Sequence, residues 1–239
     1  MSKNRIQKYI DYGNLLEISN PGQIPDLILW LDSQDAPTII ESGGVVTSWQ
    51  DKSIEGNNFN STVGREPSYI SSGGIGGAAS VVFQGGDILT ANISFEVPDG
   101  TAFCVVNLQD PGNSTIFLDN NIYSLRYEQW QNTNLMGYTH YGVADYVSTI
   151  SSNYNADDII IFTKTVGSNF IEIQNVNVAG QQLNTGGDKP IPFGTIGRAN
   201  STTTDTIIGN IGEIIVYDRQ LSPAERTLVF EYLKDRWNI

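Results

Sequence analysis

At 239 residues, with 39% hydrophobic and 16% charged residues and a mean hydropathy of −0.20, the chain has the composition of one large folded domain, not of a disordered or membrane-embedded protein. A formal charge of −13 and a sequence pI near 4.3 set its surface against phosphate backbones, so nucleic acid is not an expected partner. A single cysteine, Cys104, and a single histidine, His140, exclude an internal disulfide and a histidine–cysteine zinc set.

In chain order, the first 25 residues differ from the rest. Lys3, Arg5 and Lys8 place three of the 13 basic residues in the first eight positions. Ile6, Tyr9, Ile10, Leu15 and Leu16 are sparse apolar anchors, and Asn20-Pro21-Gly22 closes the segment with turn chemistry. Residues 1–25 are expected to be a loose tail or an arm, with Lys3, Arg5, Lys8 and Tyr9 docking it on an assembly. Nothing near Met1 has the charged-then-apolar plan of a signal peptide, and the longest apolar runs are far too short to cross a bilayer. Synthesis in the cytoplasm, without membrane insertion, is the corresponding expectation.

Residues 26–239 are expected to form one domain of short strands. Segments 27–32, 45–51, 80–84, 103–108, 116–118, 159–164, 170–176 and 211–218 are rich in β-branched and aromatic residues, separated by Gly, Asn, Asp, Ser and Pro. Thr165-Val166-Gly167-Ser168-Asn169 suits a hairpin loop between two of them. Cys104 lies in an apolar stretch and reads as a small core residue. In the last long segment, alternation places Ile211, Ile215 and Tyr217 on one face and Ile214 and Val216 on the other, so both faces are expected to be buried. One helix closes the chain. Ser222-Pro223-Ala224-Glu225 combines an N-cap serine, proline at the first helical position and the glutamate of a capping box. Ala224, Leu228, Val229, Tyr232 and Leu233 form an apolar stripe, from which Phe230 departs, a hint of a second contact surface.

Two groups of residues carry a family resemblance. At the start stand Leu29-Trp30-Leu31-Asp32, then Trp49-Gln50-Asp51-Lys52-Ser53 with Asn57-Asn58, and Pro67; at the end, Gly212-Glu213 to Asp218-Arg219, Leu221 to Arg226, Tyr232-Leu233 and Trp237. Together they resemble a LamG-like jelly-roll domain of the concanavalin A-like lectin/glucanase superfamily, over about residues 26–239. The resemblance implies an all-β, two-sheet antiparallel jelly-roll β-sandwich with one C-terminal α-helix. Asp51 and Asn57 are expected to tie a loop by side-chain-to-backbone hydrogen bonds.

The fold alone does not assign a function. Glycoside hydrolysis needs two carboxylates about 5–9.5 Å apart, and the Glu-x-Asp-x-x-Glu pattern of the glucanase branch is missing. Glu172-Ile173-Gln174 comes closest, but glutamine does not ionise. His140, the sole histidine, is a poor basis for a nucleophile–base pair, and Gly74-Ile75-Gly76-Gly77 precedes a strand-like run where a dinucleotide loop needs a helix. No enzymatic activity, catalytic residue or required cofactor is therefore expected. Calcium, which relatives in the superfamily often bind, has suitable ligand types in Asp119-Asn120-Asn121 and in Asn153, Asn155, Asp157 and Asp158, although turns need the same residues. For a glycan, the aromatic and amide-rich stretch 127–146 offers Tyr127, Trp130, Tyr138, Tyr141 and Asp145; the alternative is that its aromatics fill the core.

These readings favour a non-enzymatic virion structural or adhesion protein, a phage capsid decoration or tail-fibre component. It would reside in the virion as a homo-oligomer, with other virion proteins and host surface glycans as partners. A carbohydrate-binding lectin or adhesin module is the alternative, and a divergent glycoside hydrolase the third reading.

Overall fold

The computed structural model describes residues 17–110, 115–129, 133–198 and 205–239. The first third of the chain holds β1 (Leu27–Asp32), β2 (Ile39–Ser42), β3 (Val45–Trp49), β4 (Phe59–Ser61), β5 (Ser68–Ile70) and β6 (Ser80–Gln84). Longer strands follow: β7 (Leu89–Val97), β8 (Gly100–Gln109), β9 (Thr115–Asp119), β10 (Tyr123–Glu128), β11 (Leu135–His140) and β12 (Ala144–Ser151). The last third comprises β13 (Asp158–Lys164), β14 (Phe170–Asn175), β15 (Val178–Asn184), β16 (Ile191–Ile196), β17 (Ile208–Tyr217) and the helix α1 (Pro223–Trp237).

Two antiparallel layers result. One runs β1–β17–β8–β13–β14–β15. The other runs β2–β3–β4–β7–β16–β9–β10–β11–β12. β5 and β6 join them at one edge, where β6 pairs with the first half of β17. Between the layers lies the main core, with Cys104, Val106, Ile160, Phe162, Ile214 and Val216 facing Leu125, Tyr127, Met136, Tyr138 and Phe193. The opposite parity of the first layer builds a second core. Phe103, Val105, Ile159, Ile161, Ile215 and Tyr217 pack beneath Val229, Leu233 and Trp237 of α1. Both faces of these central strands are thus buried, which accounts for their near-continuous apolar runs.

Two sequence readings differ from the structure. Ile211 lies with Ile214 and Val216 on the inner face, because the β17–β8 register slips between Ile211 and Glu213. The slip falls at Gly212, where a Cβ would stand 2.6 Å from the Trp237 ring. Ala224 is exposed, so the buried stripe of α1 is Val229, Leu233 and Trp237, while Leu228, Phe230 and Tyr232 are half-buried against the same core. The described end of the N-terminal segment packs on the domain itself: Ile18 and Ile24 belong to the helix-side core, and the Tyr217 hydroxyl donates to the Pro21 carbonyl at 3.0 Å. Lys3, Arg5, Lys8 and Tyr9 lie outside the described residues.

The remaining local expectations match the structure. Ser222 and Glu225 form a reciprocal capping box at α1, and residues 165–169 connect β13 to β14. The glycine-rich turn around Ile75 leads into β6, with Ile75 fully buried and Gly76, at φ +56°, so close to the Trp237 carbonyl that no side chain fits. The Asp51 carboxylate accepts from the backbone N–H groups of Trp30 (2.8 Å), Ser53 (2.8 Å) and Asn57 (2.8 Å), and the Asn57 amide donates to the Ile28 carbonyl at 2.8 Å. Lys52 N–H adds a bond to the Trp30 carbonyl at 2.9 Å. The loop thereby occupies the edge of β1 that no described strand pairs.

Several of the residues that carry the resemblance meet in a buried polar cluster between β1, β17 and α1. Glu213 accepts from the indoles of Trp30 (2.7 Å) and Trp237 (2.8 Å) and from the Tyr232 hydroxyl (3.3 Å). Asp32, also fully buried, accepts from Arg236 at 2.7 Å and Lys52 at 2.9 Å. Burial pushes the Glu213 carboxyl up to about 7, aided by the Asp32 charge and opposed by Trp237, Arg236 and Trp30. A folded-state value above the unfolded one, near 4.5, means a contribution fully present below pH 4.5 and lost as pH rises through about 7. Denaturation of the wild type and of Glu213→Gln at pH 5 and pH 8 tests this. The stability lost between the two pH values is expected to be smaller in the variant; an equal loss in both would refute it.

Candidate functional site

β10 and β11 carry core residues on one parity and polar residues on the other. Leu125 and Tyr127 of β10, like Met136 and Tyr138 of β11, face the main core, and Arg126 and Thr139 therefore point outward. Over them opens a recess of about 370 Å³, bounded by Tyr141, Gly142 and Val143 of the β11–β12 turn and by Asp145 of β12. Val143, 66% exposed, gives the recess an apolar lip, and its turn is linked to the neighbouring one, which exposes Ile122, by the bond from Tyr141 N–H to the Ile122 carbonyl at 3.0 Å.

The floor is a fixed hydrogen-bond network around one hydroxyl. Thr139 Oγ1 accepts from Arg126 Nε (2.9 Å) and Gln129 Nε2 (2.8 Å) and donates to Asp145 Oδ1 (2.6 Å). Gln129 also donates to Asp145 Oδ1 at 3.0 Å, and Arg126 Nη1 to Asp205 Oδ2 at 3.2 Å. Arg126 is only 6% exposed, whereas Asp145 is open to solvent. On the other wall the Tyr141 hydroxyl donates to Asp119 Oδ2 at 2.6 Å. Burial raises the Asp119 carboxyl, and burial together with the Asp119 charge raises the Tyr141 phenol. His140 is lowered by burial and by Lys189.

Of the glycan residues expected from sequence, the structure brings Tyr141 and Asp145 to this recess. Tyr127 and Tyr138 are corrected: both are core residues on the opposite face, so neither ring is open to a sugar. Tyr138 donates to the Pro190 carbonyl at 2.8 Å, and Tyr127 accepts from Asn153 N–H at 2.9 Å. Trp130 lies outside the described residues. Sequence reasoning overlooked Arg126 and Thr139, although their parity against Leu125 and Met136 marks them as outward. Asp119 and Asp205 join through long-range pairing that no local pattern discloses.

The other sequence candidates are engaged in structure. Asp119 Oδ1 accepts from Asn121 N–H, and Asn120 Oδ1 from Ile122 and Tyr123 N–H, as turn residues do. Asp157 accepts from Gly76 N–H and from the Asn107 amide. Among the described residues no group of three or more His, Cys, Asp or Glu is placed to hold a metal. Glu172 is ion-paired with Arg226 of α1 at 2.5 Å. A second recess, about 400 Å³ beside α1, is lined by Tyr232 and Arg236, which are committed to Glu213 and Asp32. No helix among the described residues is long and apolar enough to cross a membrane.

The fold recurs in solved structures. Trypanosoma rangeli sialidase in complex with the inhibitor DANA matches at a TM-score of 0.56 and 14% identity, over 95% of this chain and 38% of that one. A mutant of the same sialidase displaying trans-sialidase activity matches at 0.53 and 12%, over 98% and 38%. The sialidase in complex with sialic acid matches at 0.50 and 13%, with the same coverage of 98% and 38%. The fold is a concanavalin A-like jelly roll. At these identities the likeness extends to architecture alone, and the chain spans 38% of the length of each sialidase. No family model and no curated protein matches the chain. The expectation of a phage capsid-decoration or tail-fibre protein is corrected here: the sialidases matched over 95–98% of the chain lend it no support.

Proposed function

We propose that the protein is a carbohydrate-binding module whose ligand sits in the recess over Arg126, Thr139, Tyr141 and Asp145. The observation that carries this reading is the pairing of a buried guanidinium and an exposed carboxylate around the single Thr139 hydroxyl. A sugar hydroxyl both donates and accepts, so adjacent fixed donors and acceptors beside an apolar lip suit it. The sialidase that shares the fold binds sialic acid, which supports a glycan ligand by analogy of architecture. Binding without turnover fits the chemistry. Tyr141, the one phenol on the recess wall, donates to Asp119 and is held above its ordinary range, the direction opposite to an activated nucleophile.

The test is a screen of the protein on a glycan panel, followed by calorimetry on the best ligand with Asp145→Ala and Thr139→Val. Each variant is expected to bind at least about ten-fold more weakly while remaining folded, with the denaturation midpoint of Asp145→Ala somewhat lowered because Thr139 and Gln129 lose a shared acceptor. Retention of no glycan would refute the function. Unchanged affinity in both variants would move the site elsewhere.

A further inference from the structure

We propose that the recess selects an uncharged sugar presenting two adjacent hydroxyls and rejects acidic sugars, a selectivity that presupposes the carbohydrate-binding reading above. The charges around it are unbalanced. Arg126 is the one cation on the lining, and two carboxylates, Asp145 and Asp205, are already tied to it or to its Thr139 partner. Asp119 stands behind Tyr141 as a third. Burial and Lys189 lower His140, which disfavours its charged form. Lys189 stands 5.9 Å over the Tyr123 ring, on the core-facing side of the sheet.

The remaining hydrogen-bonding capacity defines the complementary ligand. Arg126 Nε and Nη1 are taken by Thr139 and Asp205, and Nη2 has no partner among the described residues. Asp145 Oδ1 receives both Thr139 and Gln129, while Oδ2 has no partner among the described residues. One donor and one acceptor thus flank Thr139. Neighbouring hydroxyls satisfy both, one accepting from the guanidinium and one donating to the carboxylate, while the C–H face of the ring rests on Val143. A ligand carboxylate would satisfy only Nη2 and would face Asp145 and Asp205 across a partly desolvated recess, where like charges repel more strongly than in water. The net charge of −13 adds a long-range barrier to anionic glycans.

Matched oligosaccharide pairs test this, with the terminal ring as glucose or glucuronic acid and as galactose or galacturonic acid. Binding to the full chain is measured by calorimetry at low and at high salt. The uncharged member of a pair is expected to bind at least about ten-fold more tightly, with the gap narrowing at high salt and in Asp145→Asn. Removing one of the two adjacent hydroxyls, in a deoxy analogue, should weaken binding by a similar factor. An acidic member that binds as tightly as its partner, and is lost in Thr139→Val, would overturn the selectivity while leaving the carbohydrate function standing. Binding by neither member of any pair, with another glycan of the panel bound, would overturn the selectivity alone; binding of no glycan at all would overturn both.

Discussion

Replacing Trp237 with alanine is expected to lower the unfolding free energy by about 3–5 kcal/mol, the range for truncating a large buried aromatic. The indole is fully buried at the end of α1, seated against the Gly212 bulge. Its loss opens a cavity in the helix-side core and removes the donor that reaches Glu213 Oε2 at 2.8 Å. Part of the cost is therefore electrostatic, since a buried carboxylate loses one of its hydrogen bonds. Trp237→Phe separates the two contributions by restoring most of the volume without the N–H. Urea denaturation of both variants is expected to rank them wild type, phenylalanine, alanine. An alanine variant as stable as the wild type would show that the helix layer does not stabilise the sandwich.

The second large effect is expected from Asp51→Ala. One carboxylate accepts from three backbone N–H groups and from the Ser53 hydroxyl at 2.6 Å, and so holds the whole loop against β1. Removal leaves these donors to solvent or unpaired, at a cost of about 2–3 kcal/mol. It also uncovers the free edge of β1, which invites pairing with a second chain. Denaturation and size-exclusion chromatography over a range of concentrations should show a lower midpoint together with concentration-dependent association. Asp51→Asn, which keeps an acceptor oxygen, should recover part of the loss. A variant that elutes as the wild type does at every concentration would show that the loop is not what protects the edge.

Short-range chemistry is the part of this protein legible in its sequence. The Ser222–Glu225 cap, the Asp51 loop and the doubly buried strands each depend on residues a few positions apart, or on one strand's own periodicity. Ile211 fails that test for a local reason. A glycine bulge adds one residue and inverts the parity beyond it, and Gly212 itself is its one mark in the run Ile211–Tyr217. The candidate site is half legible. Tyr127 and Tyr138 attract notice as aromatics, yet their parity with Leu125 and Met136 commits them to the core, and the same count points Arg126 and Thr139 outward. Asp205 reaches Arg126 across 79 positions. That pairing exists only because β16 lies beside β9, a neighbourhood set by global topology.

The position of β17 governs the order in which the chain can assemble. β17 lies between β1 and β8 in the first layer and is synthesised after all the other described strands. Until it leaves the ribosome, β1 and β8 have no strand between them, and α1, which follows it, cannot cover the outer core. The layer therefore closes only after nearly all of the described chain is available, through contacts of high sequence separation that form slowly. Nascent chains halted before residue 208 would expose the strand faces of both cores, leaving chaperone recognition and aggregation to compete with completion.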